Sequence, residues 1–185
     1  MQTTPGTSLT DEKLVPAEPS RRPHVVLWAA VAATVLLVDQ ATKFWAERAL
    51  DGGETRELAG EWLQLRLTYN PGAAFSMGTG YTVVLTLIAI GVVVVVIRMA
   101  RKLGSWGWAL ALGLLLGGAL GNVTDRIVRD PAPFRGHVVD FLELPNWPVF
   151  NVADMAICAA AAVFVLLSIR GIHLDGTRAA ETDAP

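Results

Sequence analysis

The chain has 185 residues, of which 52% are hydrophobic and only 17% are charged. Soluble globular proteins average about 25% charged residues, so this composition excludes an ordinary soluble domain and indicates an integral membrane protein. The formal net charge of −2 argues against a nucleic-acid partner, because phosphate binding requires a clustered basic surface.

A polar N-terminal segment, residues 1–23, precedes the first apolar run. It is rich in proline and mixed charges and has almost no apolar side chains, so we expect a disordered tail. The uncharged run 25–38, extended through Asp39, Lys43 and Trp45, reaches the roughly 20 residues that a membrane span needs. No small-residue cleavage site follows, so we interpret it as a retained anchor rather than a signal peptide.

Three further apolar runs follow, at residues 81–97, 106–124 and 152–169. The run 81–97 contains consecutive β-branched valines, but an open strand cannot satisfy its backbone in lipid, so a helix is expected. Glycines spaced by four residues in the third run allow close helix packing; they are Gly113, Gly117 and Gly121. The predicted fold is therefore an all-α membrane protein with four transmembrane helices.

Four spans place both chain ends and the loop 98–105 on one side of the membrane. That loop carries three basic residues and no acid, which assigns this side to the cytoplasm. The predicted membrane domain covers residues 24–170, and the polar segment 171–185 is a second expected disordered tail. We predict no separate soluble domain.

Two longer connections, 46–80 and 127–150, then lie together outside the membrane. In the first, apolar side chains at positions 63, 65, 67 and 69 alternate with polar ones, which predicts a half-buried strand. The sequence Asn70-Pro-Gly72 predicts a turn at its end. The second connection contains the short run 137–144, which suits either another strand or an interfacial turn.

Two aspartates flank the start of the fourth span in apolar surroundings, Asp140 before it and Asp154 within it. An ionisable group at membrane depth usually faces a bundle interior or a wet cavity and is functional. Two carboxyl groups in one site can share a proton, so the pair suggests water-activating, aspartic-type catalysis. The alternatives are that Asp140 is a surface residue of a loop and that Asn151 and Asp154 form a capping box.

Other polar residues form two groups with helical spacing. Asp39 and Lys43 are four residues apart, which suits either a stabilising ion pair at the interface or an anchor for a substrate group. Asn122, Asp125 and Arg126 share one helix face, where they are either structural or hold a backbone segment or a head group. We expect Asp125 to be a permanently ionised partner of the adjacent Arg126.

Metal and serine or cysteine chemistries have little support. The histidines His24, His137 and His173 are scattered along the chain, and a metal site needs at least three suitable ligands. The single cysteine, Cys158, excludes a cysteine metal cluster, and Ser76 has no evident base partner. We therefore predict no metal and no cofactor.

Five short motifs occur in order along the chain. They are Asp39-x-x-x-Lys43, Asn70-Pro-Gly-Ala-Ala-Phe75, Gly121-Asn-x-x-Asp-Arg126, Val138-Val-Asp140-Phe and Phe150-Asn-x-Ala-Asp154. Together they resemble the motifs of the bacterial lipoprotein signal peptidases, also called signal peptidase II. One motif alone is a weak signal, whereas five in order on a four-span scaffold are specific. The stretch 129–135 is one departure, because it is longer than the family pattern.

The resemblance implies a four-helix membrane aspartic endopeptidase with a small extracytoplasmic β-cradle that rests on the membrane. Its implied substrates are diacylglyceryl-modified prolipoproteins, cut just before the lipidated cysteine, and its implied inhibitor is the cyclic peptide globomycin. Asp140 and Asp154 match the catalytic pair. The positions that match substrate-binding or scaffold residues are Asp39, Lys43, Asn70, Gly72, Asn122, Asp125, Arg126, Asn151 and Ala153.

The same resemblance implies a multi-pass protein of the bacterial cytoplasmic (inner) membrane with its active site at the extracytoplasmic face. The expected partners are prolipoprotein substrates and membrane lipid, without nucleic acid, and we expect a functional monomer.

Two functions from other classes compete with this one. An ion- or proton-coupled transporter also places Asp, Asn and Arg in the membrane. Here, however, the polar residues cluster toward one interface, and 81–97 carries nothing more polar than threonines and a tyrosine. A structural membrane protein that associates through its glycine face would leave Asp140 and Asp154 unexplained.

Overall fold

The computed structural model describes residues 22–72 and 81–178. Its elements, in chain order, are α1 Arg22–Ala49, β1 Arg56–Glu57, β2 Gln64–Asn70, α2 Thr82–Ala100, α3 Trp106–Val128, β3 Val138–Glu143 and α4 Val152–Ile169. Within the described residues, four helices are long and apolar enough to cross a membrane. The prediction of four spans and a small sheet is confirmed.

Helix α3 is central and packs against the other three helices. Its glycines make this packing possible, because a Cβ at Gly113 would lie 2.8 Å from the Val31 Cβ, and one at Gly117 would lie 2.6 Å from the Val35 Cβ, both on α1. A Cβ at Gly118 would come within 2.6 Å of the Ala153 carbonyl oxygen on α4. The glycine face therefore serves packing within the chain.

The three strands form one antiparallel sheet in the order β1-β2-β3. Strand β3 occupies the run 137–144, so the strand alternative is the one observed there. Its register with β2 pairs Asn70 with Val138 and Thr68 with Asp140. The sheet packs on the end of α1 through a small apolar core, which places the carboxyl end of β2 beside Asp140.

The outer end of α2 is attached to the loops by two threonines. The Thr82 hydroxyl donates to the Pro71 carbonyl at 2.7 Å, and the Thr86 hydroxyl donates to the Phe134 carbonyl at 3.1 Å. These bonds link the turn after β2 and the long stretch 129–135 to the same helix.

The predicted tails fall mostly outside the described residues, since 1–21 and 179–185 are not among them. Residues 171–178, assigned to the C-terminal tail from the sequence, instead fold back onto the connection between α2 and α3. The Gly104 amide donates to the Leu174 carbonyl at 3.0 Å, and the Trp108 indole donates to the Ile172 carbonyl at 2.9 Å. The Leu174 side chain packs against the helical core, which explains why this part of the segment is ordered.

Candidate active site

Asp140 lies in the middle of β3 and is held by two amide side chains. The Asn70 side chain donates to Oδ2 at 3.0 Å, and the Asn151 side chain donates to Oδ1 at 2.6 Å. Only 2% of Asp140 is exposed. Burial and, to a smaller extent, the nearby Asp154 carboxylate raise the pKa of Asp140 to about 7, although the two amide donors oppose the rise. Asp140 is thus a buried residue and not a loop surface residue.

Asp154 lies in the first turn of α4 and closes a capping box with Asn151. The Asn151 Oδ1 atom accepts from the Asp154 amide at 3.0 Å, and the Asp154 Oδ2 atom accepts from the Asn151 amide at 3.2 Å. The other carboxylate oxygen of Asp154 accepts from the Asn122 side chain at 2.9 Å. The cap therefore holds one oxygen of Asp154, and α3 holds the other.

Both carboxyl groups line one cavity of about 260 Å³. Its polar lining residues are Asn70, Asn122, Arg126, Asp140 and Asp154. Its other lining residues are mainly apolar and include Trp147, Pro148, Val149, Phe150, Ile157 and Cys158. A second cavity of about 380 Å³ shares Asn70 and Asp140 and continues along β2 toward Arg66 and Asn146. The structure thus brings the two aspartates together where polar and apolar surfaces meet.

Behind the carboxyl pair lies a buried group of charges. The Lys43 Nζ atom lies 2.8 Å from Asp39 Oδ2 and 2.7 Å from Asp125 Oδ2, and all three side chains are fully buried. The same ammonium donates to Asn122 Oδ1 at 2.9 Å. Asn122 therefore connects the buried charges to Asp154. The predicted Asp39–Lys43 ion pair exists, but it lies inside the protein rather than at an exposed interface.

Asp39 also fixes the start of α4. Its Oδ1 atom accepts from the Ala153 amide at 2.9 Å. A Cβ at Gly121 would lie 2.5 Å from Asp39 Oδ2, so α3 must have glycine there for the carboxylate to fit. Ala153 and Gly121 thus act through their small size and backbone.

The predicted pairing of Asp125 with Arg126 is wrong. Asp125 instead pairs with Lys43 and with Arg129, whose Nε atom lies 2.8 Å from Oδ1. Arg126 donates to the backbone carbonyl of Gly72, with Pro71 close by at 3.5 Å. Neighbouring residues on a helix point about 100° apart, so adjacency in sequence does not make side chains partners.

The family model of signal peptidase (SPase) II matches residues 31–170 of this chain. The chain belongs to the signal peptidase II family. The lipoprotein signal peptidase of Mycolicibacterium smegmatis is 49% identical over 171 residues, which cover 92% of this chain and 72% of that protein. That of Mycobacterium leprae is 51% identical over 167 residues, covering 89% of this chain and 82% of that protein.

Solved structures with the same fold agree with this membership of the signal peptidase II family. One bacterial membrane enzyme structure superposes with a TM-score of 0.71 at 24% identity, covering 85% of this chain and 94% of that chain. A second superposes with a TM-score of 0.67 at 25% identity, covering 77% and 92%. The chain is therefore a multi-pass membrane peptidase.

Three residues of the site were missed from the sequence of this signal peptidase II family member. The Gln40 side chain donates to Asp39, to the Gly121 carbonyl and to Asp125, each at 3.2 Å. Arg129 and Glu47 form an ion pair beside Asp125. Arg129 is four residues after Asp125, a spacing that could have indicated the contact. The link to Glu47 has no sequence signal, because 82 residues separate the two.

Proposed function

We propose that this peptidase removes signal peptides from diacylglyceryl-modified prolipoproteins by aspartic catalysis and cuts before the lipidated cysteine. The observation that carries the proposal is the cavity shared by Asp140 and Asp154, two carboxyl groups with separate hydrogen-bond donors. With a pKa of about 7, Asp140 retains a proton through much of the neutral range, which a pair sharing one proton requires.

The pair supplies both proton transfers that peptide hydrolysis needs. One carboxylate takes a proton from water as the water oxygen bonds to the scissile carbonyl carbon, and the protonated partner donates a hydrogen bond to the carbonyl oxygen. The carbon–nitrogen bond then breaks as a proton passes from the pair to the leaving amine. Water supplies the atoms added to the two products, so no cofactor takes part.

The cavity supports a lipidated substrate. Its apolar lining residues, such as Phe150, Ile157 and Cys158, match acyl chains that lie among lipid, and the carboxyl pair lines the same cavity. The adjoining cavity along β2 offers a route for the residues that follow the modified cysteine. Arg126 holds the Gly72 carbonyl at the mouth of the site, which supports a role in keeping the turn after β2 in place.

Hydrolysis by the purified protein tests the proposal directly. A diacylglyceryl-modified prolipoprotein should be cut and its unlipidated form should not. Asp140→Asn and Asp154→Asn should each lower turnover by about 10² or more, the lower range for positioned acid–base groups. Asp51→Asn removes an exposed carboxyl from the turn after α1 and is the matched control. A folded Asp140→Asn or Asp154→Asn protein with near-normal turnover would exclude the aspartic mechanism.

We also propose that the site faces the extracytoplasmic side of the bacterial cytoplasmic membrane. The basic loop between α2 and α3 supports this orientation through the positive-inside rule. Single cysteines at Thr55 and Ser105, in a Cys158→Ala background, should distinguish the sides. An impermeant thiol reagent should label only the former in intact cells, and the opposite labelling would reverse the orientation.

A further inference from the structure

Arg129 follows α3 directly and is the first residue of the stretch 129–135. Its Nε atom donates to Asp125 Oδ1 at 2.8 Å, and its Nη1 atom donates to the Glu47 carboxylate on α1. The Arg129 side chain is 19% exposed, whereas Asp125 is fully buried. Burial alone would lower the pKa of Arg129, but the bonds to Glu47 and Asp125 raise it above its ordinary value, so Arg129 stays charged.

Asp125 in turn reaches both carboxyl groups of the site. Its Oδ2 atom accepts from the amide of Val139, the residue before Asp140, at 3.2 Å. The same oxygen pairs with Lys43, whose ammonium donates to Asn122, the residue that donates to Asp154. A change at Asp125 therefore reaches β3 through the backbone and α4 through Lys43 and Asn122.

Arg129 is the second cation in direct contact with the buried carboxylates, since Arg126, although buried nearby, donates to the Gly72 carbonyl instead. Asp39 and Asp125 carry two negative charges, and Lys43 between them carries one positive charge. An uncompensated buried charge is costly and also acts on its neighbours through a low dielectric. The guanidinium of Arg129 supplies the second positive charge at the other carboxylate oxygen of Asp125, Oδ1, which also accepts from Gln40. Glu47 lies on the outer side of Arg129 and is 26% exposed, so solvent screens its charge more.

We propose that Arg129 is a positioning residue that neutralises Asp125 and thereby sets the pH range in which Asp140 and Asp154 hold one proton between them. This inference rests on the proposed aspartic function. The charged groups next to the carboxyl pair are Asp39 and Lys43 from α1, Asp125 and Arg126 from α3, and Asp154 from α4. A separate cavity beside Arg129 is lined by the titratable groups Glu47 from α1, Tyr69 from β2, and Asp130 and His137 from the connection to β3.

The pH dependence of prolipoprotein cleavage tests this role. Arg129→Gln removes one positive charge and stabilises the protonated forms of the pair, so both the acid and the alkaline limb of activity should move to higher pH by up to about one unit. Arg129→Lys keeps the charge and should keep the limbs close to wild type. Arg48→Gln is the matched control, because Arg48 lies over the Phe44 ring on the exposed face of the same helix as Glu47. This substitution should leave the acid and alkaline limbs unchanged.

Two further variants keep the test decisive if Arg129→Gln does not fold. Glu47→Gln removes the outer negative charge and should move both limbs to lower pH by less than the Arg129→Gln shift. The double variant Asp125→Asn with Arg129→Gln removes one charge of each sign and should return the limbs toward wild type, whatever its absolute rate. A purely structural role for Arg129 would lower the rate at every pH and leave the limbs in place.

The inference is overturned if the acid and alkaline limbs of Arg129→Gln stay at their wild-type pH or, where Arg129→Gln does not fold, if those of Glu47→Gln do. The Asp140→Asn protein, assayed alongside, separates this result from failure of the proposed function. If Asp140→Asn is inactive and the limbs do not move in the Arg129 and Glu47 variants, only the role of Arg129 is lost. If Asp140→Asn cleaves normally, the aspartic mechanism itself is lost.

Discussion

Replacing Asp140 with asparagine should remove the contribution of this carboxyl group to the pH dependence of protein stability. The pKa of this carboxyl rises from 3.8 to about 7 on folding. Between about pH 4 and pH 7, Asp140 therefore keeps its proton in the folded state, whereas the unfolded state has already released it. Because the unfolded chain then binds fewer protons, the free energy of unfolding falls as pH rises through this window. The stabilising contribution is fully present below about pH 4 and is lost by about pH 7.

The size of the effect follows from the shift. At about 1.36 kcal/mol per unit, a rise of about three units corresponds to about 4 kcal/mol of stability lost between pH 4 and pH 7. An asparagine does not titrate, so the difference in stability between Asp140→Asn and wild type should grow by about that amount across the window and stay constant above it. Asparagine at this position also loses one of the two hydrogen bonds that Asp140 accepts from the side chains of Asn70 and Asn151. The stability lost with that bond does not depend on pH.

Thermal unfolding in detergent micelles, followed by tryptophan fluorescence at a series of pH values, measures the difference. For a chain of this size, about 4 kcal/mol corresponds to a relative change in midpoint of about 8 to 16 °C. Asp51→Asn, an exposed change on the same side of the protein, is the control. A difference between Asp140→Asn and wild type that does not vary between pH 4 and pH 7 would refute the claim that folding disfavours ionisation of Asp140.

Three other substitutions test the packing and the buried charges. Gly117→Ala places a Cβ 2.6 Å from the Val35 Cβ and should lower stability by about 1–3 kcal/mol in thermal unfolding; an unchanged midpoint would show that α1 can move away. Gly104→Ala places a Cβ 2.1 Å from the Asp175 carbonyl oxygen and should speed hydrogen exchange in 171–178 without altering cleavage. Lys43→Met breaks the buried ion pair of Asp39 and leaves Asp125 with Arg129 alone, so it should cost about 3–5 kcal/mol, and a protein of normal stability would contradict the ion-pair network.

The elements that sequence reasoning predicted correctly are those with a strong local signal. The four spans follow from uninterrupted apolar runs, and β2 follows from the alternation of apolar and polar side chains. That alternation does not persist as burial along the strand, because the register is irregular between Leu65 and Thr68, and Tyr69 is 50% exposed. Asp140 and Asp154 stood out because a carboxyl group in apolar surroundings is costly. The structure places both at one cavity, and their catalytic role is still a prediction. The Asn70-Pro-Gly72 turn is also present, since Asn70 Oδ1 accepts from the Gly72 amide at 2.9 Å.

The parts that were missed depend on contacts between distant residues. Nothing near Asp125 in the sequence indicates that its partner is Lys43 on another helix rather than the adjacent Arg126. The two readings of 137–144 could not be separated until its pairing partner was known, since a short apolar run fits both. Residues 171–178 looked like a tail because their sequence is mostly polar. Their order comes from a backbone bond to the connection between α2 and α3, the bond from the Trp108 indole and the packing of the Leu174 side chain, none of which composition records.

The capping-box and catalytic interpretations of Asp154 are compatible, although the sequence presented them as alternatives. The cap uses one carboxylate oxygen, and Asn122 holds the other at the wall of the cavity. Asn151 completes the cap with its side-chain oxygen and donates to Asp140 with its side-chain nitrogen. One asparagine thus fixes the start of α4 relative to the middle of β3. Because a shared proton requires two carboxyl groups at a fixed separation, the residue that caps the helix also sets the geometry on which the proposed chemistry depends.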